Sequence, residues 1–149
     1  MMLKNLLSEF EENLRVQGME SSLDFLNQRV PHRFTAIFQL NTDQLAVVRL
    51  VDKLNDASTM LASPVPFTNS FCELVLRDGA VMTSNSVADK RFDGKFSQGT
   101  VISYVGLPLV KPGGELFGSL CHLDYQENSI DEDEFVFLQH IAAVVSRYL

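Results

Sequence analysis

The stretch from Ile102 to Asp124 constrains this chain more than any other. Ile102 to Val110 is an apolar run broken at Gly106 and Pro108, and Leu116 to Asp124 is apolar again. Between them, Lys111-Pro112-Gly113-Gly114-Glu115 reads as a reversal, because proline presets one φ and glycine supplies the positive φ of a tight turn. A short Gly-containing link between two strand-like runs is a hairpin signal. Side chains alternate along a strand, so Phe117, Ser119, Cys121 and Leu123 point one way and Leu116, Gly118, Leu120 and His122 the other. Neither set carries a charge before Asp124. A hairpin with no solvent face predicts a sheet covered on both sides.

The flanking segments supply the covers. Leu3, Leu6, Leu7, Phe10 and Leu14 recur at helical spacing, which predicts an amphipathic helix from Met2 to Val16 with Gly18 as its stop. Leu23, Leu26 and Val30 mark a second helix, opened by a Ser21–Asp24 variant of the capping box and closed before Pro31. Phe34 to Leu40 and Leu45 to Leu54 read as two strands around an Asn41-Thr42-Asp43 turn, hence antiparallel neighbours. The pattern lapses from Asn55 to Asn69, where Ser63-Pro64-Val65-Pro66 breaks any helix. A short helix over Ser70–Leu76, capped by Thr68 or Asn69 and stopped at Asp78-Gly79, precedes a strand at Val81–Thr83. Ser84 to Thr100 is a long polar loop, and such loops are usually functional or mobile. The last helix is predicted over Glu132–Leu149, with Phe135, Leu138, Ile141, Ala142, Val145 and Leu149 on one face. Its N-cap is Asp131 with Glu134, or Ser129 with Glu132. The element order is α+β.

With 149 residues and neither repeat nor linker, the chain is expected to form one domain, residues 1–149, with an N-terminal helix over 1–18 and a body over 21–149. No apolar run approaches the ~18 residues of a membrane span, and the N-terminus lacks the pattern of a signal peptide. A cytoplasmic location without membrane attachment is therefore the expectation. A net charge of −7 argues against a nucleic-acid partner. Two widely spaced cysteines, without a CxxC, argue against a disulfide framework or a cysteine zinc site.

Four motifs fall in order: Ser70-Phe71-Cys72, Asp89-Lys90-Arg91-Phe92, Tyr104-Val105-Gly106-Leu107-Pro108-Leu109 and Gly118-Ser119-Leu120-Cys121-His122-Leu123-Asp124. Together they resemble a GAF domain, nearest the bacterial subgroup found beside sensor kinases and cyclic-diguanylate enzymes. The similarity covers roughly Ser21 to Leu149. It implies a central antiparallel sheet of about six strands, helices packed on one face and loops closing a small-molecule pocket on the other. It also implies a regulatory, non-catalytic role. Cyclic-nucleotide-binding members carry Asn-Lys, Phe and Asp-Glu near the last helix. Here Asp133-Glu134 and, loosely, Asn128 match, but Ser129 replaces the lysine and Ile130 the phenylalanine. The Asp-Ile-Pro stretch of bilin-binding members is missing, although Cys121-His122 superficially resembles their late Cys-His. Members that reduce free methionine sulfoxide place their cysteines at other spacings. Neither a cyclic nucleotide nor a covalent bilin is expected, and the ligand stays unidentified.

The resemblance nominates Phe71, Cys72, Asp89, Arg91, Phe92, Tyr104, Gly106, Cys121 and His122 as pocket residues. Each also has a structural reading. Cys121 lies mid-strand in an apolar run and Cys72 on a short apolar segment, which favours packing over a reactive thiol pair. His122, on the face of Leu120 and Asp124, reads first as a hydrogen-bonded core histidine and second as a ligand contact. No second ligand at helical or strand spacing supports a metal site. Asp89 and Arg91 brace the loop, or Arg91 clamps an anion. Tyr104 is a pocket ring or a core ring, and Gly106 permits a close approach or marks a bulge. The stripe Leu3, Leu6, Leu7, Phe10 and Leu14 is expected to meet a second copy, giving a homodimer; packing within the chain is the alternative. No nucleophile–base pair, phosphate loop or metal cluster is evident, so no catalytic residue is nominated. The expected role is a sensor that binds a small molecule and signals to a partner protein. The alternatives are a ligand-free dimerisation module and a thiol-based redox enzyme or sensor.

Overall fold

The central hairpin forms as its sequence demands: β5 (Ser103–Val110) and β6 (Leu116–Asp124) pair antiparallel. The earlier elements are α1 (Met2–Gln17), α2 (Met19–Gln28), β1 (Phe34–Asn41), β2 (Gln44–Asp52), β3 (Val65–Pro66), α3 (Phe71–Asp78) and β4 (Val81–Thr83), and the chain closes with α4 (Glu132–Ser146). This computed structural model describes residues 2–56 and 64–149. The six strands run in the order β3-β2-β1-β6-β5-β4, with every neighbouring pair antiparallel. None of the described helices is long and apolar enough to cross a membrane.

Strand alternation splits the interior into two cores. On one face Ile37, Val105, Leu107, Leu109 and Leu120 meet Phe10 and Leu14 of α1, Leu23 and Leu26 of α2, and Leu138 and Ile141 of α4. On the other, Phe34, Ala36, Tyr104, Cys121 and Leu123 meet Phe71, Leu74 and Val75 of α3, together with Phe92 and Val101 from the long loop. The expected helix layer is thus α1, α2 and α4, while the loop-covered face also carries a helix, α3.

Several local expectations change. The Ser21–Asp24 capping box does not form: α2 begins at Met19 with Gly18 as an N-cap that offers no side chain, and the Ser22 hydroxyl donates to Gly18 O and Asn13 Oδ1. The cap of α3 is Ser70, not Thr68 or Asn69. Its Oγ accepts from the Glu73 N–H at 3.1 Å, while Glu73 reaches back to the Asn69 N–H. For α4 the Asp131 register wins, its carboxylate accepting from Glu134 N at 2.8 Å. The buried face of α4 includes Phe137 and Val144, with Phe135 only partly buried. β3 arises where the sequence pattern lapsed. It is two residues long, held to β2 by Leu45↔Val65 and Gln44↔Pro66, and its proline is tolerated because it lies on the sheet edge. Ser63, counted in the sequence as part of a helix break, lies outside the described residues.

Phe117 departs from its expected company. The β5–β6 register shifts between Leu109 and Val110, so that Leu109 faces Gly118 and Val110 faces Leu116. Phe117 is the unpaired residue of this bulge and packs against the helix-side core rather than beside Cys121.

The apolar stripe of α1 is largely used within the chain. Phe10 is 0% exposed and Leu14 5%, while Leu6 and Leu7 are partly buried against the same core. Burying Phe10 and Leu14 contributes about 2 kcal/mol each. Leu3, with Met2 and Val16, remains exposed. The ends of the helix layer are tied by Arg29, which makes two bonds to Glu134 and lies 4.3 Å from the Phe137 ring centroid. Near the other end, Glu11 accepts from Arg147 and from the Tyr148 hydroxyl.

Candidate functional site

A cavity of about 250 Å³ opens on the α3 side of the sheet. Its walls come from β1 (Phe38), β2 (Leu45), β3 (Val65), the start of α3 (Ser70, Phe71, Cys72), the loop (Phe96, Ser97, Thr100, Val101) and the hairpin (Tyr104, Leu123). A larger groove of about 490 Å³ lies elsewhere, between β5 and the outer side of α4, and shares no residue with these walls.

Of the nine residues the sequence nominated, Phe71, Cys72 and Tyr104 line this cavity. Phe92 and Cys121 are both 0% exposed and stand behind its wall. Phe92 meets Phe71 edge-on at 4.6 Å between ring centroids, and Phe71 meets Tyr104 edge-on at 5.2 Å. This T-shaped chain fixes the two rings that face the cavity. Gly106 serves packing: a Cβ there would lie 2.5 Å from Val75 Cγ2 and 2.6 Å from Tyr104 Cε2. Its missing side chain lets α3 and the Tyr104 ring settle on the sheet.

Asp89 and Arg91 brace the long loop. Asp89 caps a 3₁₀ turn, Lys90–Phe92, and binds the Arg91 guanidinium through both carboxylate oxygens. Arg91 also donates to Met82 O at 2.8 Å. The guanidinium holds the Asp89 carboxyl down at about 2. Further bonds from Ser86 Oγ to Val101 O and from Gln98 Nε2 to Ser86 O close the loop on itself. Lys95 donates to Glu73 at 2.8 Å and fastens the loop to α3.

His122 lies on the opposite face of β6 from the cavity, within the helix layer. It is 1% exposed, its Nδ1 is 2.6 Å from Thr35 Oγ1, and its Nε2 has no partner among the described residues. The His32 ring stacks on it, centroids 6.0 Å apart, with both of its own nitrogens unpartnered. Sequence reasoning did not single out His32; its signal is a histidine directly after the helix-ending Pro31, where the chain turns into β1. Nor did it single out Phe38, Leu45, Val65 or Leu123 as cavity walls. Phe38 and Leu123 follow from alternation once Tyr104 is assigned, since all three share a sheet face.

Neither thiol is activated. Burial pushes the Cys72 thiol up to about 11, opposed by its contact with Ser119 Oγ at 3.3 Å. Burial likewise raises Cys121, whose Sγ lies 3.8 Å from Ala36 O. At pH 7 Cys72 is thiolate in roughly one molecule in ten thousand, far too little for efficient attack. Both cysteines should therefore resist a thiol-alkylating reagent in the folded protein and react promptly in denaturant. Rapid stoichiometric labelling of native Cys72 would contradict this reading. Among the described residues, no group of three or more His, Cys, Asp or Glu converges on a metal position.

A six-stranded antiparallel sheet with helices on one face and a loop-walled cavity on the other defines a class of small α+β pocket domains. The GAF domain family profile matches residues 19–149, and the chain belongs to the GAF family. Members are typically sensory or regulatory modules. No curated protein sequence matches the chain. Among solved structures, the GAF domain of an Acinetobacter phosphoenolpyruvate-protein phosphotransferase superposes with a TM-score of 0.76 at 14% identity, over 98% of this chain and 91% of that one. A free methionine-R-sulfoxide reductase from Neisseria meningitidis, in complex with its substrate, gives 0.73 at 15% identity, over 97% and 86%. The phycocyanobilin-bound GAF domain of a cyanobacterial phytochrome gives 0.72 at 15% identity, over 97% and 91%. At such identities the likeness is one of fold, shared by enzymes and chromophore-binding domains alike.

Proposed function

We propose that this GAF domain is a non-catalytic sensor that takes a small molecule into the cavity walled by Phe38, Phe71, Tyr104 and Leu123 and reports its occupancy to a partner protein through the terminal helices. The observation that carries the reading is the cavity itself, set against the sheet and open among aromatic side chains. Its connection to the helix layer is direct. Phe38 and Leu123 face the cavity from β1 and β6, while Ile37 and Leu120 of the same strands touch the helix core. A ligand that shifts Phe38 therefore acts on a strand that also supports α1, α2 and α4. To signal, the ligand must bind two arrangements of these elements with different affinity. The protein is proposed to work in the cytoplasm, in the manner of the subgroup found beside sensor kinases and cyclic-diguanylate enzymes. The high-lying thiols of Cys72 and Cys121 favour this over a thiol enzyme.

A homodimer through α1 belongs to the same proposal. Its support is the exposed apolar residues at the two ends of α1, Met2 and Leu3 at one and Val16 at the other, because Phe10 and Leu14 are already buried within the chain.

Native mass spectrometry, compared with the denatured mass, tests both parts. The sensor reading expects added mass that is lost on denaturation, or added mass after incubation with a metabolite extract. A clean apo dimer that accepts nothing would replace it with an interaction module. A monomer across micromolar concentrations would remove the dimer.

A further inference from the structure

The cavity walls state what kind of molecule they suit. Four rings face the cavity, Phe38, Phe71, Phe96 and Tyr104, and among the described residues the other polar lining groups are those of Ser70, Cys72, Ser97 and Thr100. No ionisable acid or base other than the buried Cys72 and Tyr104 is among them. Of the charges on α3 and the covering loop, Lys95 is committed to Glu73, Arg91 to Asp89 and to Met82 O, and Arg77 to Asp78, while Asp93 accepts from Gln98 Nε2; Lys90 is exposed and is not among the cavity walls. Residues 57–63, outside the described chain, contain no Asp, Glu, Lys or Arg in the sequence. Even the Ser70 hydroxyl is used, donating to Phe67 O at 2.6 Å while accepting from Glu73 N. A carboxylate or phosphate buried here would meet no counter-charge, and an unpaired buried charge is strongly unfavourable.

Size and the state of one ring narrow the class further. A cavity of about 250 Å³ has room for one or two fused rings. Phe96 is 46% exposed and stands at the cavity wall, an apolar ring beside an open apolar space. Its backbone is tied to the start of α3, since Phe96 N–H donates to Asn69 O at 3.1 Å.

Resting on the sensory reading above, we propose that the cavity is a site for an uncharged, planar aromatic molecule of one or two rings, covered on its outer side by Phe96. The three inner rings supply edge and face contacts, and the rim hydroxyls of Ser97 and Thr100 can bond a single neutral polar group on the ligand.

The chain contains no tryptophan, so indole itself is both ligand and reporter. Excited beyond tyrosine absorption, indole titrated with the full chain should show a saturable blue shift in emission. Indole-3-acetate should bind at least about tenfold more weakly, because its carboxylate finds no partner. Phe96→Ala should weaken indole by about tenfold with only a small fall in melting temperature, since the ring it removes is half exposed. Equal or tighter binding of indole-3-acetate, sensitive to Phe96→Ala, would overturn the uncharged class while keeping the sensory reading. Indole binding that ignores Phe96→Ala would overturn the site. If neither probe binds, the aromatic assignment is overturned, and the native mass decides separately whether another kind of molecule occupies the cavity.

Discussion

Acidification from pH 7 to pH 5 should cost this domain about 3–4 kcal/mol of stability, most of it through two histidines. Burial pushes the His32 imidazole down to about 4, with Lys53 adding to the shift and Asp124 opposing it. Burial pushes His122 to about 3, with His32 and Lys53 adding. The surroundings explain both. Lys53 Nζ sits at the end of α2, donating to Asn27 O and Oδ1, Val30 O and His32 O at 2.7 to 3.1 Å. Its charge therefore stands beside the stacked rings. Asp124 is the acid on this side, and its Oδ2 already accepts from Arg33 N and Asn128 Nδ2. Both histidines have folded values below the unfolded 6.5, so the unfolded chain binds protons that the folded chain refuses. Their contribution is whole above about pH 6.5 and is lost as pH falls toward 4 and then 3. From pH 7 to 5 the folded rings stay neutral, so each loses roughly 1.36 kcal/mol per unit below 6.5. Urea denaturation at several pH values should give a limiting slope near two protons. His32→Leu should reduce that slope by about one. It should also leave stability at pH 7 unchanged or higher, because it replaces a ring with two unpartnered buried nitrogens by an apolar side chain. A pH-independent midpoint between 7 and 5 would show that the pair does not control acid stability. So large a loss is a substantial part of the 5–15 kcal/mol that typically separates folded from unfolded.

The same residues show how far the sequence could be read. The hairpin was legible because two uncharged runs flank a Pro-Gly-Gly turn, and burial of both its faces follows from that composition alone. The two residues of β3 were not legible, because their strand character comes from β2 and not from any periodicity of their own. Ser70 was missed as a cap although Glu73 three residues on completes the signature; the neighbouring Thr68 and Asn69 compete for the role. For the site, three of the residues the resemblance nominated, Phe71, Cys72 and Tyr104, line the cavity, but alternation was the stricter guide. Cys121 and His122 are adjacent in a strand, so they face opposite sides of the sheet and cannot line one cavity together. Gly106 could not be read either way, since whether a glycine admits a ligand or a neighbouring ring depends on what packs there. Here that is Val75 and Tyr104. The α1 stripe is apolar enough for a second chain or for its own sheet, and only tertiary packing separates the two.

Gly118→Ala should be the most damaging single-methyl change in the hairpin. A Cβ at this position would lie 1.9 Å from the Phe38 carbonyl oxygen and 2.8 Å from its carbon, and Gly118 holds φ at 157°. Both obstructing atoms are backbone, so no rotamer change can relieve the contact; β1 itself must move. The site is where β6 resumes pairing after the Phe117 bulge, with Gly118 opposite Gln39 and Ser119 opposite Phe38. Separating the strands there breaks the junction between the two halves of the sheet, β3-β2-β1 and β6-β5-β4. The expected loss is about 3 kcal/mol or more, at the upper end of overpacking effects because the neighbour cannot yield. Gly113→Ala is the matched control: it lies in the adjoining turn, its Cβ would meet nothing within 4 Å, and its midpoint in urea should hardly change. Equal midpoints for the two variants would mean that β1 and β6 are not in such close contact. The damage should also reach the cavity. Phe38 is one of its walls, so any Gly118→Ala protein that still folds must displace that ring, and its affinity for indole should fall further than its stability at the same temperature requires. A side chain lining the site is thus held in place by a residue whose contribution is the absence of one, and a folded variant with unaltered indole binding would show that the strand can shift without carrying Phe38 along.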